Sequence, residues 1–135
     1  VIKKFKKTKN SIFVKLSYLN TSIRLEAVFK NVKNPVTKSF EMSDGTLILV
    51  NTLSPEEMIL EKISAYIKRK KVRDLYDIYF LLNFVENKDK VKKHLVDFLE
   101  NFKKPKDEKE LKVLIISGSV PSVESMIETV RRWVK

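Results

Sequence analysis

The stretch Leu53–Leu82, LSPEEMILEKISAYIKRKKVRDLYDIYFLL, decides how the rest of the chain is read. Ser54-Pro55-Glu56-Glu57 is a strong helix start. A Ser hydroxyl can accept from the orphan N–H groups, Pro suits the first helical position, and Glu57 completes a capping box. Ile59, Ile63, Tyr66 and Ile67 then recur at helical spacing and mark one face. The basic cluster Lys68-Arg69-Lys70-Lys71 complements the dipole at the helix end. A second helix follows, with Val72, Leu75, Tyr76, Tyr79, Leu82 and Asn83 on one face. Ile78, Phe80 and Leu81 make it apolar almost all round, so it is expected at the centre of a core.

Outward toward the C-terminus, the spacing predicts more helices. Val91, Leu95, Phe98, Leu99 and Phe102 keep a clean helical period with lysines opposite, and Pro105 ends the run. Asp107 to Ile116 reads as a helix capped by Asp107 with Glu110 behind it, although Val113 to Ile116 also suits a strand. A last helix carries Val123, Ile127, Val130 and Trp133, with Trp133 assigned to the core.

Outward toward the N-terminus, the period changes to two. Val1 to Phe5 reads as the tail of a strand or helix leading into the lysines at positions 3, 4, 6, 7 and 9. Ile12, Val14 and Leu16 alternate with Phe13, Lys15 and Ser17. After a turn at Asn20-Thr21-Ser22, Ile23, Leu25, Ala27 and Phe29 alternate with Arg24, Glu26, Val28 and Lys30, the pattern of an antiparallel hairpin. Asn31 to Pro35 breaks the pattern. A weaker strand at Thr37–Met42, a turn at Asp44-Gly45 and a strand at Leu47–Val50 complete this half. The expected fold is therefore α+β: a small antiparallel sheet over residues 1–53 packed on a bundle of four to five helices over 54–135, the two halves forming one unit. A strand region this small is not expected to fold alone.

Composition narrows the classes of function. The 135 residues are 43% hydrophobic and 33% charged, a globular balance. No apolar run approaches the ~20 residues needed to span a bilayer. There is no Cys, hence no disulfide framework and no thiolate chemistry. These features point to a cytoplasmic protein with no membrane partner. The net charge of +11 attracts polyanions, including RNA and nucleotide phosphates, and also suits a plain Lys-rich surface. His94 falls on a polar helix face and has no ligand cluster.

The Leu53–Leu82 stretch carries a resemblance. Pro55, Glu56, Glu57, Glu61, Lys62 and Ala65, then Arg69, Arg73, Asp74, Leu75, Asp77 and Leu82, match a P-E-E-h-h-x-E-K-h-x-A helix and an R-D-h-x-D-h-x-x-L helix. Ile23-Arg24-Leu25-Glu26-Ala27 fits an h-x-h-E-h strand. In these features the chain resembles the AbiEii/AbiGii-type nucleotidyltransferase toxins, which belong to the polymerase-β-like superfamily. The resemblance implies transfer of a nucleoside monophosphate from a nucleoside triphosphate to RNA, such as tRNA, or to another acceptor. It also implies a cognate antitoxin protein and Mg²⁺ held by three carboxylates.

Under the resemblance, Glu26, Lys62 and Asp74 are the catalytic residues. Lys62, Arg69 and Arg73 bind phosphate, and Asp74, with Asp77 in support, orients Lys62. Glu26 is a metal ligand only alongside ligands from an upstream Gly-Ser turn and D-x-D strand. No such motif precedes it: no Asp or Glu lies before Glu26. The chain thus reads as the C-terminal portion of such an enzyme, incomplete for catalysis alone, with Glu26, Lys62 and Asp74 expected to meet in one cleft.

Plainer readings accompany each residue. Lys62 suits a lysine snorkelling at a core edge. Asp74 and Asp77 suit i,i+4 ion pairs with Lys70 and Arg73. Glu26 suits a solvent-facing pair with Arg24. For the whole chain, the alternatives are a non-catalytic basic nucleic-acid-binding module and an inactive scaffold domain.

Overall fold

Ser54 starts the first helix as its sequence dictates. Its backbone is extended, Pro55 occupies the first turn, and its Oγ accepts from the N–H of Glu57 at 3.3 Å. The helix, α1, runs Pro55–Arg69 and ends at Lys70, whose backbone is left-handed at φ 50° and whose N–H closes on the Tyr66 carbonyl at 2.8 Å. One residue later α2 begins and runs Val72–Leu81, extended by a 3-10 turn at Leu82–Phe84. Then come α3 (Asp89–Glu100), a 3-10 turn at Glu108–Glu110, the single turn α4 (Leu111–Leu114) and α5 (Val123–Val134). This computed structural model describes residues 1–32 and 35–135.

The strand half forms two antiparallel sheets. β1 (Ile2–Lys7), β2 (Ser11–Tyr18) and β3 (Thr21–Val28) pair in the order β1-β2-β3. β4 (Val36–Glu41) and β5 (Leu47–Thr52) form a separate hairpin. The α+β class and the helical bundle are as the sequence predicts. The β2–β3 turn is tighter than expected: Tyr18 pairs with Thr21, so the turn is Leu19-Asn20, with Leu19 at φ 51°, and Thr21 and Ser22 already lie in β3. The second turn is as read, with the Thr46 N–H on Asp44 Oδ1 at 2.9 Å and Gly45 at φ 82°, where a side chain would be strained. The pattern break expected at Asn31 to Pro35 lies in part outside the described residues.

The chain divides into two compact units, Val1–Asn34 and Pro35–Lys135. The first is the three-stranded sheet. The second holds the β4–β5 hairpin and all the helices. In it, α1 packs on α2 and α3, and α5 packs on the same two, so four helices close a ring.

The core fills that ring. Ile59, Ile63 and Tyr66 of α1 meet Val72, Leu75 and Ile78 of α2, Val91, Leu95 and Phe98 of α3, and Val123, Met126, Ile127 and Val130 of α5. These are the periodic positions of each helix, and burying such side chains stabilises by roughly 1.5–3 kcal/mol each. Tyr66 anchors one end. It meets Phe98 edge-on at 5.5 Å and Phe102 stacked at 5.8 Å, and its hydroxyl donates to the Lys103 carbonyl at 2.7 Å. Trp133 is half-buried under the Lys88 ammonium, 4.7 Å from its ring.

α2 is central to the core, as its apolar composition predicts: Val72, Leu75 and Ile78 are fully buried, while Phe80 is about half exposed. One expectation needs correcting. The 107–116 helix is shorter and broken, and Asp107 does not cap it with its side chain. The capping box shows its first half, the Glu57 N–H on Ser54 Oγ, while the Glu56 carboxylate in the same turn accepts from the N–H groups of Glu86 and Asn87.

Candidate functional site

The α1–α2 seam carries two cation–carboxylate pairs. Lys62 and Arg69 are seven residues apart on α1, so they share one face two turns apart. Asp74 and Asp77 are one turn apart on α2. Because a two-residue turn sends α2 back along α1, the late carboxylate meets the early cation: Lys62 pairs with Asp77 and Arg69 with Asp74. Among the described residues, neither carboxylate pairs with its i,i+4 neighbour, Lys70 or Arg73. Arg73 is exposed on α2.

The two pairs differ in character. Asp74 is wholly buried, and Arg69 grips it with two hydrogen bonds, Nε to Oδ2 at 2.6 Å and Nη2 to Oδ1 at 2.5 Å. This is the bidentate fork that only Arg supplies. The bond to Asp74 raises the Arg69 pKa above its ordinary value; the charges of Asp74 and Asp77 add to this, and burial opposes it. Lys62 and Asp77 are both about one-third exposed, so their pair opens to solvent. The carboxylate that orients Lys62 is thus Asp77, and Asp74 is committed to Arg69.

Glu26 stands in β3 of the first unit. It faces solvent, more than half exposed, with Arg24 Nε 3.2 Å from Oε1. It is the sole carboxylate of Val1–Asn34. Lys62, Arg69, Asp74 and Asp77 belong to the second unit. Among the described residues, no group of three or more His, Cys, Asp or Glu side chains is placed to hold a metal ion. The side chains present therefore do not fit a three-carboxylate Mg²⁺ site.

Two further carboxylates organise the second unit, and neither role was readable from the sequence. Glu56, buried in the first turn of α1, accepts from the N–H groups of Glu86 and Asn87, both at 2.9 Å. Burial alone would raise its pKa; the N–H groups of Asn87, Glu56 itself and Glu86, with the Ser54 hydroxyl, outweigh that and lower it to about 2. Asp107 accepts from the Val72 N–H at 2.8 Å and pairs with Lys71 at 3.1 Å. It caps α2 from 35 residues away, where Lys71 offers no side-chain cap. Burial opposes ionisation of Asp107, but the Val72 N–H and Lys71 hold its pKa below the usual carboxylate range.

A cleft of about 760 Å³ opens between α1 and α3, lined by Ile63, Ile67, His94, Phe98 and Phe102 among others. It lies on a different face of α1 from Lys62 and Arg69, and none of the sequence-predicted site residues lines it.

These observations describe a basic α+β chain whose two matching helices are joined by paired cations and carboxylates. Residues 3–125 match the family model for the AbiEii nucleotidyl transferase toxin of type IV toxin–antitoxin systems, and the chain belongs to that family. No curated protein and no solved structure gives a match. Among the described residues, no helix is long and apolar enough to cross a membrane.

Proposed function

We propose that the chain serves nucleotidyl transfer from a nucleoside triphosphate to RNA or another acceptor, in the cytoplasm, as a toxin restrained by an antitoxin protein. In that reaction an acceptor oxygen attacks the α-phosphorus, the bond from that phosphorus to the bridging oxygen breaks, and pyrophosphate leaves. The observation that carries the reading is the Lys62–Asp77 pair, a cation held at a fixed place yet open to solvent, on the helix that matches the family.

Lys62 would face the triphosphate and offset its charge, as preorganised cations do at transferring phosphoryl groups. Asp77 would hold the ammonium in place. Arg69 would act chiefly through its grip on Asp74, with its exposed edge and Arg73 adding positive potential. Asp74 positions Arg69 and touches no substrate in this reading. Glu26 would join metal binding only with carboxylates from elsewhere.

The test is equilibrium binding of a nucleoside triphosphate to the chain and to Lys62→Met. A loss of tenfold or more with an unchanged melting temperature supports the reading. Equal affinity overturns the role of Lys62.

One observation favours a second reading, a basic nucleic-acid-binding module without catalysis: Lys4, Lys6, Lys15 and Arg24 of the first unit share one sheet face. RNA affinity that survives Glu26→Ala, in a chain that binds no triphosphate, would select it.

A further inference from the structure

The three-stranded sheet has two unlike faces. The register puts Phe5, Val14 and Leu25 in one cross-strand row, with Lys7, Ile12 and Ala27 beside it. On the other face, Lys4, Lys15 and Arg24 stand directly opposite one another in a single row across all three strands. The next row on that face is Lys6, Phe13 and Glu26.

A row of three like charges is unfavourable in a sheet by itself, because directly opposed side chains start roughly 5 Å apart. Little nearby relieves it. Arg24 turns to Glu26, the sole carboxylate of this unit, at 3.2 Å. Lys4 lies over the Phe13 ring, 5.8 Å from its centroid. Lys15, in the middle of the row, makes no ion pair among the described residues, and Lys4, Lys15 and Arg24 are all exposed. The face therefore carries four cations against one carboxylate, with one aromatic ring set among them.

The ligand that suits this pattern is a chain of anions with flat groups attached. Strands about 4.8 Å apart set the cations at regular steps, and a nucleic-acid strand repeats its charge every few ångström. A base can replace the Lys4 ammonium on the Phe13 ring, and the ammonium then reaches a phosphate; stacking plus backbone neutralisation is how sheet platforms hold single strands. We propose that this face of the β1–β2–β3 sheet binds single-stranded nucleic acid, with Lys4, Lys15 and Arg24 on its phosphates and Phe13 against a base. Only the identification of that strand as the acceptor rests on the transfer reading.

The experiment is fluorescence anisotropy with a labelled 12-nucleotide RNA, the DNA of the same sequence, and the matching duplex, each titrated with the full chain at several salt concentrations. The triple variant K4Q/K15Q/R24Q should weaken single-strand binding tenfold or more. It should also flatten the salt dependence by about two units, at ~0.7 for each phosphate that is no longer neutralised. The variant K90Q/K92Q/K93Q removes the same charge from the exposed side of α3 and should change affinity less than twofold. Phe13→Leu should lower affinity several-fold at an unchanged salt slope.

Equal losses in the two triple variants would overturn the proposal, because the charge would then act diffusely. Tighter binding of the duplex than of either strand would overturn it as well. Preference for RNA supports an acceptor role, and equal binding of RNA and DNA supports recognition through the shared backbone. Lys62→Met serves as the dividing control: it removes triphosphate binding under the transfer reading and leaves strand affinity intact, so either reading can fail without the other.

Discussion

Arg69 and Asp74 share two hydrogen bonds, at 2.6 and 2.5 Å, but only Arg69 can reach water: its side chain is 45% exposed and that of Asp74 is 0% exposed. The two halves of the pair are therefore not equivalent under mutation. Arg69→Met leaves a buried carboxylate without a partner and should cost about 3 kcal/mol or more. Asp74→Asn leaves a guanidinium that can hydrate and still find one acceptor, and should cost about 1–2 kcal/mol. Arg69→Lys should fall between them, since an ammonium cannot form the fork. Urea unfolding of the three variants checks the order; equal losses would contradict the burial asymmetry.

The Lys62–Asp77 pair is predicted to behave in the opposite way. Both partners are about one-third exposed, so Lys62→Met and Asp77→Asn should each change stability by less than about 1 kcal/mol. Triphosphate affinity should nevertheless fall in both, more in Lys62→Met than in Asp77→Asn, because the second variant loosens the ammonium without removing it. Calorimetric binding paired with thermal melts separates the two effects.

Glu56 predicts an acid-labile start to the bundle. Its folded pKa, about 2, lies below its ordinary 4.5. The unfolded chain therefore binds the proton more readily, and the stabilisation is fully present above pH 4.5 and lost as pH falls from there toward 2. The shift corresponds to about 3 kcal/mol. Glu56→Gln should lower stability at pH 7 and flatten its fall between pH 4.5 and 2. Stability measured by denaturant melts across that range reads the difference in slope.

Asp107→Ala should remove the only side-chain cap of α2 seen among the described residues and cost about 1–2 kcal/mol. Asp107→Asn keeps an acceptor for the Val72 N–H and gives up the Lys71 ion pair, so it should cost less. If both cost the same, the ion pair rather than the cap carries the effect.

What the sequence makes legible follows from how local each feature is. Ser54 and Pro55 define the start of α1 within one turn of chain, and the periodic apolar positions of α1, α3 and α5 name most of the core. The β2–β3 hairpin is legible from strict alternation, though its turn falls one or two residues earlier than the polar residues suggest, because a non-Gly left-handed residue, Leu19, carries no sequence signal. The partners of the charged residues are not legible. Lys62 finds Asp77, Asp107 finds Val72 and Glu56 finds Glu86 and Asn87 only once the helices are packed. The central place of α2 is legible from its composition, since Val72, Leu75 and Ile78 are fully buried; that Phe80 on the same helix stays about half exposed is not.

Every buried side chain among the described residues lies between Glu56 and Val130, and none lies in a strand. The amide protons of the molecule should therefore fall into two kinetic populations. Those of α1, α2, α3 and α5 are released only when the ring of helices opens as a whole, whereas those of the five strands are guarded by little more than their own ladders. In deuterated water the strand amides should exchange first and the helical amides together, much later, so that the isotope pattern draws the line between the two sheets and the helical frame.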